Sequence, residues 1–290
     1  MSAALRCAGL GHRYGRHFWG LRDCDLDVPA GRVVALVGPN GSGKTTLMSM
    51  AAGLLPVTEG KVESAGGPPA QRLDRIGFVA QDAPLWPRLR VADVLDIGRC
   101  MNRGFDADMA AERIRRLGIR PRARIGALSG GERAQVALTL VLAKKPELFL
   151  LDEPMANLDP LARREFLSSM FDACQQSGAT VLYSSHAVSE LERVCDYLVL
   201  LRAGRVCLAG DIDELRQRHR VIRGPDGWLD GGGWQVVSQR SLAGQTVALV
   251  RCDDSRLPGP GLHDAAPAFA DLVLGYLDGE AASMPAEAAA

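Results

Sequence analysis

The segment Gly38-Pro39-Asn40-Gly41-Ser42-Gly43-Lys44-Thr45 has the spacing GxxxxGK[ST], with the apolar run Val33–Val37 before it and a helix-length stretch, Lys44–Ala52, after it. Glycines at these positions let backbone N–H groups converge on an anion where side chains would collide. A helix starting at Lys44 adds the positive end of its dipole. In such a loop Lys44 supplies a charge to the terminal phosphates of a nucleotide and the Thr45 hydroxyl is a candidate Mg²⁺ ligand. Thr46 follows in the same helical turn.

A second acidic element lies about a hundred residues downstream. Leu148-Phe149-Leu150-Leu151-Asp152-Glu153-Pro154 delivers two carboxylates at the end of a strand-like apolar run. Open α/β sheets collect their ligands at the carboxyl ends of their strands. Asp152 suits a Mg²⁺-directed role and Glu153 suits the group that orients and deprotonates water. Pro154 predicts an extended backbone for Glu153. Asp-Glu-Pro is also a good turn sequence, so this pair gains its weight from the phosphate loop upstream.

Between the two lies Leu128-Ser129-Gly130-Gly131-Glu132. Ser129-x-x-Glu132 is a capping-box pattern, which predicts a helix start with two glycines exposing their amides. This segment closely resembles the LSGGQ signature of ABC ATPases, with Glu132 where Gln is usual. The resemblance covers about Leu5–Gly210 and implies further roles, one position at a time. Tyr14, in His12-Arg13-Tyr14-Gly15, corresponds to the aromatic residue that stacks on adenine. Gln81, in Phe78-Val79-Ala80-Gln81-Asp82, corresponds to the glutamine that touches Mg²⁺ and water. His186, ending Tyr183-Ser184-Ser185-His186, corresponds to the switch histidine at the γ-phosphate. Asp159, in Ala156-Asn157-Leu158-Asp159, corresponds to the aspartate that links two sites across a dimer. In this family Ser129, Gly130, Gly131 and Glu132 form the surface that meets the nucleotide held by the opposite subunit, so two chains sandwich two ATP molecules with Mg²⁺.

The elements that must position these groups read as an α/β fold, a P-loop NTPase core with a mostly parallel sheet. Val33–Val37, Leu148–Leu151 and Thr180–Tyr183 are short continuous apolar runs, as buried parallel strands are. Glu132–Ala143 and Leu161–Gln176 read as helices between them. The N-terminal part is expected to be antiparallel β. From about Asp82 to Leu128 two helices, Val91–Met101 and Ala107–Leu117, follow each other with no strand between, a helical insertion. After Gly210 we expect a polar helix at Asp211–Arg220, a linker at Gly224–Gly233, strands at Trp234–Val237 and Thr246–Arg251, and a closing helix at Phe269–Leu277. The expected division is an ATPase domain over residues 1–215 and a small α+β accessory region over 216–290.

Composition excludes some partners. Lys+Arg and Asp+Glu balance at 34 each, so no net positive field recommends a nucleic acid. No run reaches the roughly 18–20 apolar residues of a membrane helix, and the N-terminus lacks a secretory apolar core. The seven cysteines show no CxxC pair and read as buried thiols. The resemblance therefore implies an ATPase at the cytoplasmic face of the cell membrane, paired with a second copy or a related ATPase and with a polytopic permease. The groove near Gln81 and Pro84-Leu85-Trp86-Pro87 is where a permease helix would dock, and Trp86 reads equally as a contact or a local core anchor. The short insertion, the Ala156–Asp159 loop and the Phe269–Leu277 segment look most like bacterial export ATPases. An import ATPase is the alternative, and a soluble ATPase of translation or DNA maintenance a more distant one.

Overall fold

The computed structural model describes residues 3–81, 84–155, 158–185, 187–229, 233–252 and 261–279. Strands β1 (Ala3–Tyr14) and β2 (Phe18–Pro29) form an antiparallel hairpin. Strand β3 (Val33–Val37) turns into a second sheet and runs into helix α1 (Lys44–Ala51), after which β4 (Glu59–Ser64) pairs with the other edge of β1.

The central sheet is completed by β5 (Ile76–Val79), β6 (Leu148–Asp152), β7 (Thr180–Ser184), β8 (Tyr197–Arg202) and β9 (Arg205–Asp211). Its order is β5-β6-β7-β3-β8-β9, parallel except for β9. Every residue of β6 and β7 is buried, which explains their uninterrupted apolar character. Alternate residues serve opposite faces. Phe149 and Leu151 pack with Leu138, Phe166 and Met170, whereas Leu148 and Leu150 pack with Leu47, Met48 and Leu10. The sheet is thus covered on one side by helices and on the other by α1 and the antiparallel layer.

Helices α2 (Val91–Met101) and α3 (Ala107–Arg116) build the insertion around Val91, Val94, Ile114, Ile119, Ile125 and Leu128. Helix α4 (Gly130–Lys144) belongs to both cores: Val136 packs into the insertion, while Ala134 and Leu138 face the sheet. Trp86 is 59% exposed, so it is not the local anchor; Leu85 packs there instead.

Helix α5 (Pro160–Ser177) starts with proline at its first position, where the missing N–H is not needed. A short helix, α6 (Val188–Glu192), precedes β8. The region after Gly210 differs from expectation. The polar helix is only α7 (Ile212–Gln217), capped by Asp211, and strand β10 (His219–Pro225) occupies what read as helix end and linker. Seven consecutive pairings to a later strand stabilise β10, a partner too distant in sequence for local patterns to reveal. With β11 (Gln235–Leu242), β12 (Gln245–Arg251) and β13 (His263–Ala265) it forms an antiparallel sheet of order β11-β12-β10-β13. Helix α8 (Phe269–Asp278) buries Phe269, Leu272 and Val273 in the same core as Leu198 and Leu200 of the central sheet. The cysteine expectation holds for Cys7, Cys24 and Cys174, whereas Cys100 is exposed and Cys195, Cys207 and Cys252 are half-buried. Among the described residues no helix is long and apolar enough to cross a membrane.

Candidate functional site

Strand register brings the chemistry to one edge. Ser184 pairs with Leu36 of β3 on one side and with Asp152 of β6 on the other, so the ends of three strands lie level. The phosphate loop leaves β3 one residue after Val37. Its glycines are required by its own surroundings. A Cβ on Gly38 would lie 2.2 Å from the Leu201 carbonyl oxygen. Gly41 and Gly43 have φ of +77° and +105°, and a Cβ on Gly43 would meet the Gly20 carbonyl at 2.5 Å. Pro39 and Asn40 are exposed at the tip, where the Pro39 carbonyl accepts from the Ser42 amide at 3.1 Å.

Lys44 is 6% exposed. Its Nζ donates to the carbonyls of Gly38 (2.8 Å) and Pro39 (3.2 Å), folding the ammonium into the loop. Burial lowers its pKa, and the charges of Glu153 and Asp152 oppose that shift. The Ser42 hydroxyl is buried without a hydrogen-bond partner. A buried cation and an orphaned hydroxyl in one glycine-rich loop are what a phosphate group would satisfy. Thr45 is exposed in the first turn of α1, and Thr46 is buried with its Oγ1 3.1 Å from the Tyr14 hydroxyl.

Asp152 is buried at the end of β6, and its Oδ1 accepts from Ser184 Oγ at 2.9 Å. The Glu153 amide donates to the same Ser184 oxygen at 2.9 Å. Glu153 is not extended, as Pro154 suggested, but left-handed, with φ +46°. Proline disfavours the right-handed helical region for its predecessor, and the bond to Ser184 fixes the remaining choice. A left-handed non-glycine residue stores of order 1–3 kcal/mol, a type of strain that clusters at functional sites. Thr45 and Asp152 offer the hard oxygen donors that Mg²⁺ takes, and Mg²⁺ draws its remaining ligands from water and phosphate. Gln81 lies in an exposed turn after β5, the edge strand of the central sheet. His186, Ala156 and Asn157 lie outside the described residues, as does Asp82.

The signature segment forms the expected capping box. Ser129 Oγ accepts from the Glu132 amide (3.2 Å) and Glu132 Oε2 accepts from the Ser129 amide (2.8 Å). Gly130 and Gly131 open α4, so the helix begins two residues earlier than the sequence suggested. Asp159 caps α5 by accepting from the Ala162 amide at 3.0 Å. Leu158, beside it, is the nearest neighbour of a Cβ built on Gly131, at 3.6 Å.

Tyr14 ends β1, 41% exposed, with its ring edge-on to His12 at 4.5 Å. Phe18 is its direct cross-strand partner and 60% exposed, a second aromatic that sequence reasoning missed. Also missed were Ser184, Arg163 and Glu190, whose bonds join the ends of β6, β7 and the start of α5. The only sequence trace of Ser184 is a hydroxyl at the end of an apolar run.

Comparison with known proteins agrees with this geometry. The ABC transporter family model matches residues 21–156, and a model described as an AAA domain, putative AbiEii toxin of a type IV toxin–antitoxin system, matches residues 128–192. An aliphatic sulfonates import ATP-binding protein, SsuB 2 of Xanthomonas axonopodis pv. citri, is 38% identical over 213 residues, covering 72% of this chain and 72% of that protein. A molybdenum import ATP-binding protein, ModC of Mesorhizobium japonicum, is 35% identical over 258 residues, covering 82% of this chain and 68% of that protein. A solved ATP-binding subunit of an ABC transporter superposes with a TM-score of 0.67 at 28% identity, over 74% of this chain and 92% of that one. The dimeric cassette MJ0796 bound to ADP and Pi, at 22% identity and TM-score 0.64, shares the fold. The expected likeness to export ATPases is corrected by these relatives, whose names are those of import proteins. This chain belongs to the ABC transporter family as an ATP-binding, ATP-hydrolysing subunit.

Proposed function

We propose that this chain binds Mg-ATP at Gly38–Thr46 and hydrolyses it to drive import through a separate membrane permease. The observation that carries the site assignment is the buried Lys44 ammonium in a loop where Gly38 and Gly43 leave no room for a side chain, at the same sheet edge as Asp152 and Glu153. Import is supported by the names of the relatives.

In this reading the loop amides and Lys44 hold the β- and γ-phosphates, and Tyr14 stacks on the base. Thr45, Asp152 and Gln81 would hold Mg²⁺, which would supply charge neutralisation to the phosphates. Glu153 orients the attacking water and takes its proton, with His186 directed at the γ-phosphate. Ser129, Gly130, Gly131 and Glu132 serve the nucleotide of a second copy or a related subunit, and Asp159 joins the two sites. The sheet edge is preorganised, so catalysis rests on position and charge more than on covalent chemistry. The chain would work at the cytoplasmic face of the membrane without a nucleic-acid partner, with residues 1–215 as the ATPase domain and 216–290 as an accessory region.

Glu153→Gln tests the chemistry. The variant should bind ATP with unchanged affinity and lose about 10²–10³-fold in turnover, while forming a more stable dimer. Wild-type turnover would remove Glu153 from its role. Direction is tested by reconstituting the chain with its permease in vesicles: ATP on the side of this subunit should move cargo toward that side.

A further inference from the structure

Three segments of the site come from distant parts of the chain: the acids after β6, the loop before α5 and the strand end at β7. Charged and polar side chains outside the family motifs tie them together. Arg163, on the first turn of α5, donates from Nε to the Leu158 carbonyl at 3.0 Å, next to Asp159. From its other arm it donates to Glu190 Oε1 at 3.0 Å, an ion pair with 37% and 23% side-chain exposure. The second oxygen of Glu190 accepts from Ser185 Oγ at 3.4 Å and from the Tyr183 hydroxyl at 3.5 Å. Ser185 Oγ in turn accepts from the Ala187 amide at 3.1 Å, so both sequence neighbours of His186 are held. One residue back, Ser184 donates to Asp152 and accepts from the Glu153 amide.

We propose that Arg163, Glu190 and Ser184 are positioning residues that make the Asp159 loop, the His186 strand end and the Asp152–Glu153 turn move as one unit. The planar guanidinium suits this task because its rigid fork holds a carbonyl and a carboxylate in fixed directions, which lysine's point-like ammonium on a flexible stem does less well. Ser184 is fully buried, so its hydroxyl has no water to substitute for Asp152 or the strained Glu153. A shift of the Asp159 loop, the segment nearest Gly131 and thus nearest a second chain's nucleotide, would reach Glu153 through this chain of bonds. The proposal rests on the reading of Glu153 as the water-orienting group.

The test is steady-state ATPase activity of the full chain in Arg163→Ala, Glu190→Ala and the double variant, with Glu153→Gln alongside. Each single variant should lose about tenfold in kcat with KM for ATP within about twofold, as a misplaced rather than missing catalytic group does. The double variant should be no worse than either single, because both cut the same link. Glu190→Gln should fold as the wild type does and recover most of the activity lost in Glu190→Ala, since it keeps an acceptor for Arg163. Turnover within twofold of wild type in both single variants overturns the proposal. So do multiplicative losses in the double variant, or a rise in KM that accounts for the whole effect. If Glu153→Gln keeps wild-type turnover, the site reading beneath the proposal falls instead.

Discussion

Two glycine-rich segments face the nucleotide in the proposed function, and the chain constrains them differently. In the phosphate loop, Gly38 and Gly43 are hemmed in by backbone carbonyls of Leu201 and Gly20, and Gly41 and Gly43 have positive φ. A side chain at Gly38 or Gly43 collides with the protein itself, and at Gly41 the left-handed backbone favours glycine. In the signature, Gly131 sits in the first turn of an ordinary helix, and among the described residues a Cβ would meet nothing closer than 3.6 Å. None of the described residues demands glycine at that position; alanine would suit a helix better by up to about 1 kcal/mol. The first segment is glycine because of its own fold, and the second is explained by something outside it. A nucleotide approaching the bare amides from a second copy is what the proposed sandwich supplies.

The largest effect should follow from Gly43→Ala. The substitution combines a left-handed φ of +105° with a 2.5 Å approach to a carbonyl, so the loop must move. We expect ATP binding to be lost and thermal stability to fall by about 1–3 kcal/mol, read by a fluorescent nucleotide and a melting curve. Tight ATP binding with an unshifted Tm would break the contrast at its first term. Gly131→Ala should do the opposite to the fold. Its Tm should hold or rise, and nucleotide binding to the isolated chain should stay within about twofold. Turnover should nonetheless fall by about tenfold or more, because a methyl group covers amides that stabilise transferring phosphate. Full turnover in this variant would mean that the signature surface is not used.

Legibility in the sequence follows the same division between local and distant causes. The capping box at Ser129–Glu132 and helix Val91–Met101 are readable because each is determined by residues within a turn or two of itself, and the phosphate loop is readable from its spacing, although the Leu201 and Gly20 carbonyls that hem in its glycines come from distant segments. Strand β10 was not, since His219–Pro225 becomes a strand only by pairing with residues 245–251. Nor was the left-handed turn at Glu153, because the oxygen that selects it belongs to Ser184, 31 residues on. The direction of transport had no local signature either, because cargo and direction depend on a surface shared with another protein.

The smallest expected effect concerns the one departure within the signature itself. Glu132 is turned back onto the Ser129 amide at 2.8 Å, its carboxylate satisfying a helix N-terminus rather than pointing outward. Glutamine offers the same acceptor oxygen without the charge. Glu132→Gln should therefore keep the capping box and lose only the charge–dipole contribution, about 0.3–1 kcal/mol, visible as a small drop in Tm. Turnover should stay within about threefold, because the group that matters to a nucleotide across the interface is the glycine amide and not this side chain. Glu132→Ala removes the box and should cost stability as well, about 1 kcal/mol. A collapse of turnover in Glu132→Gln at an unchanged Tm would place the carboxylate on the nucleotide, and the signature would then act by its side chain as well as its backbone.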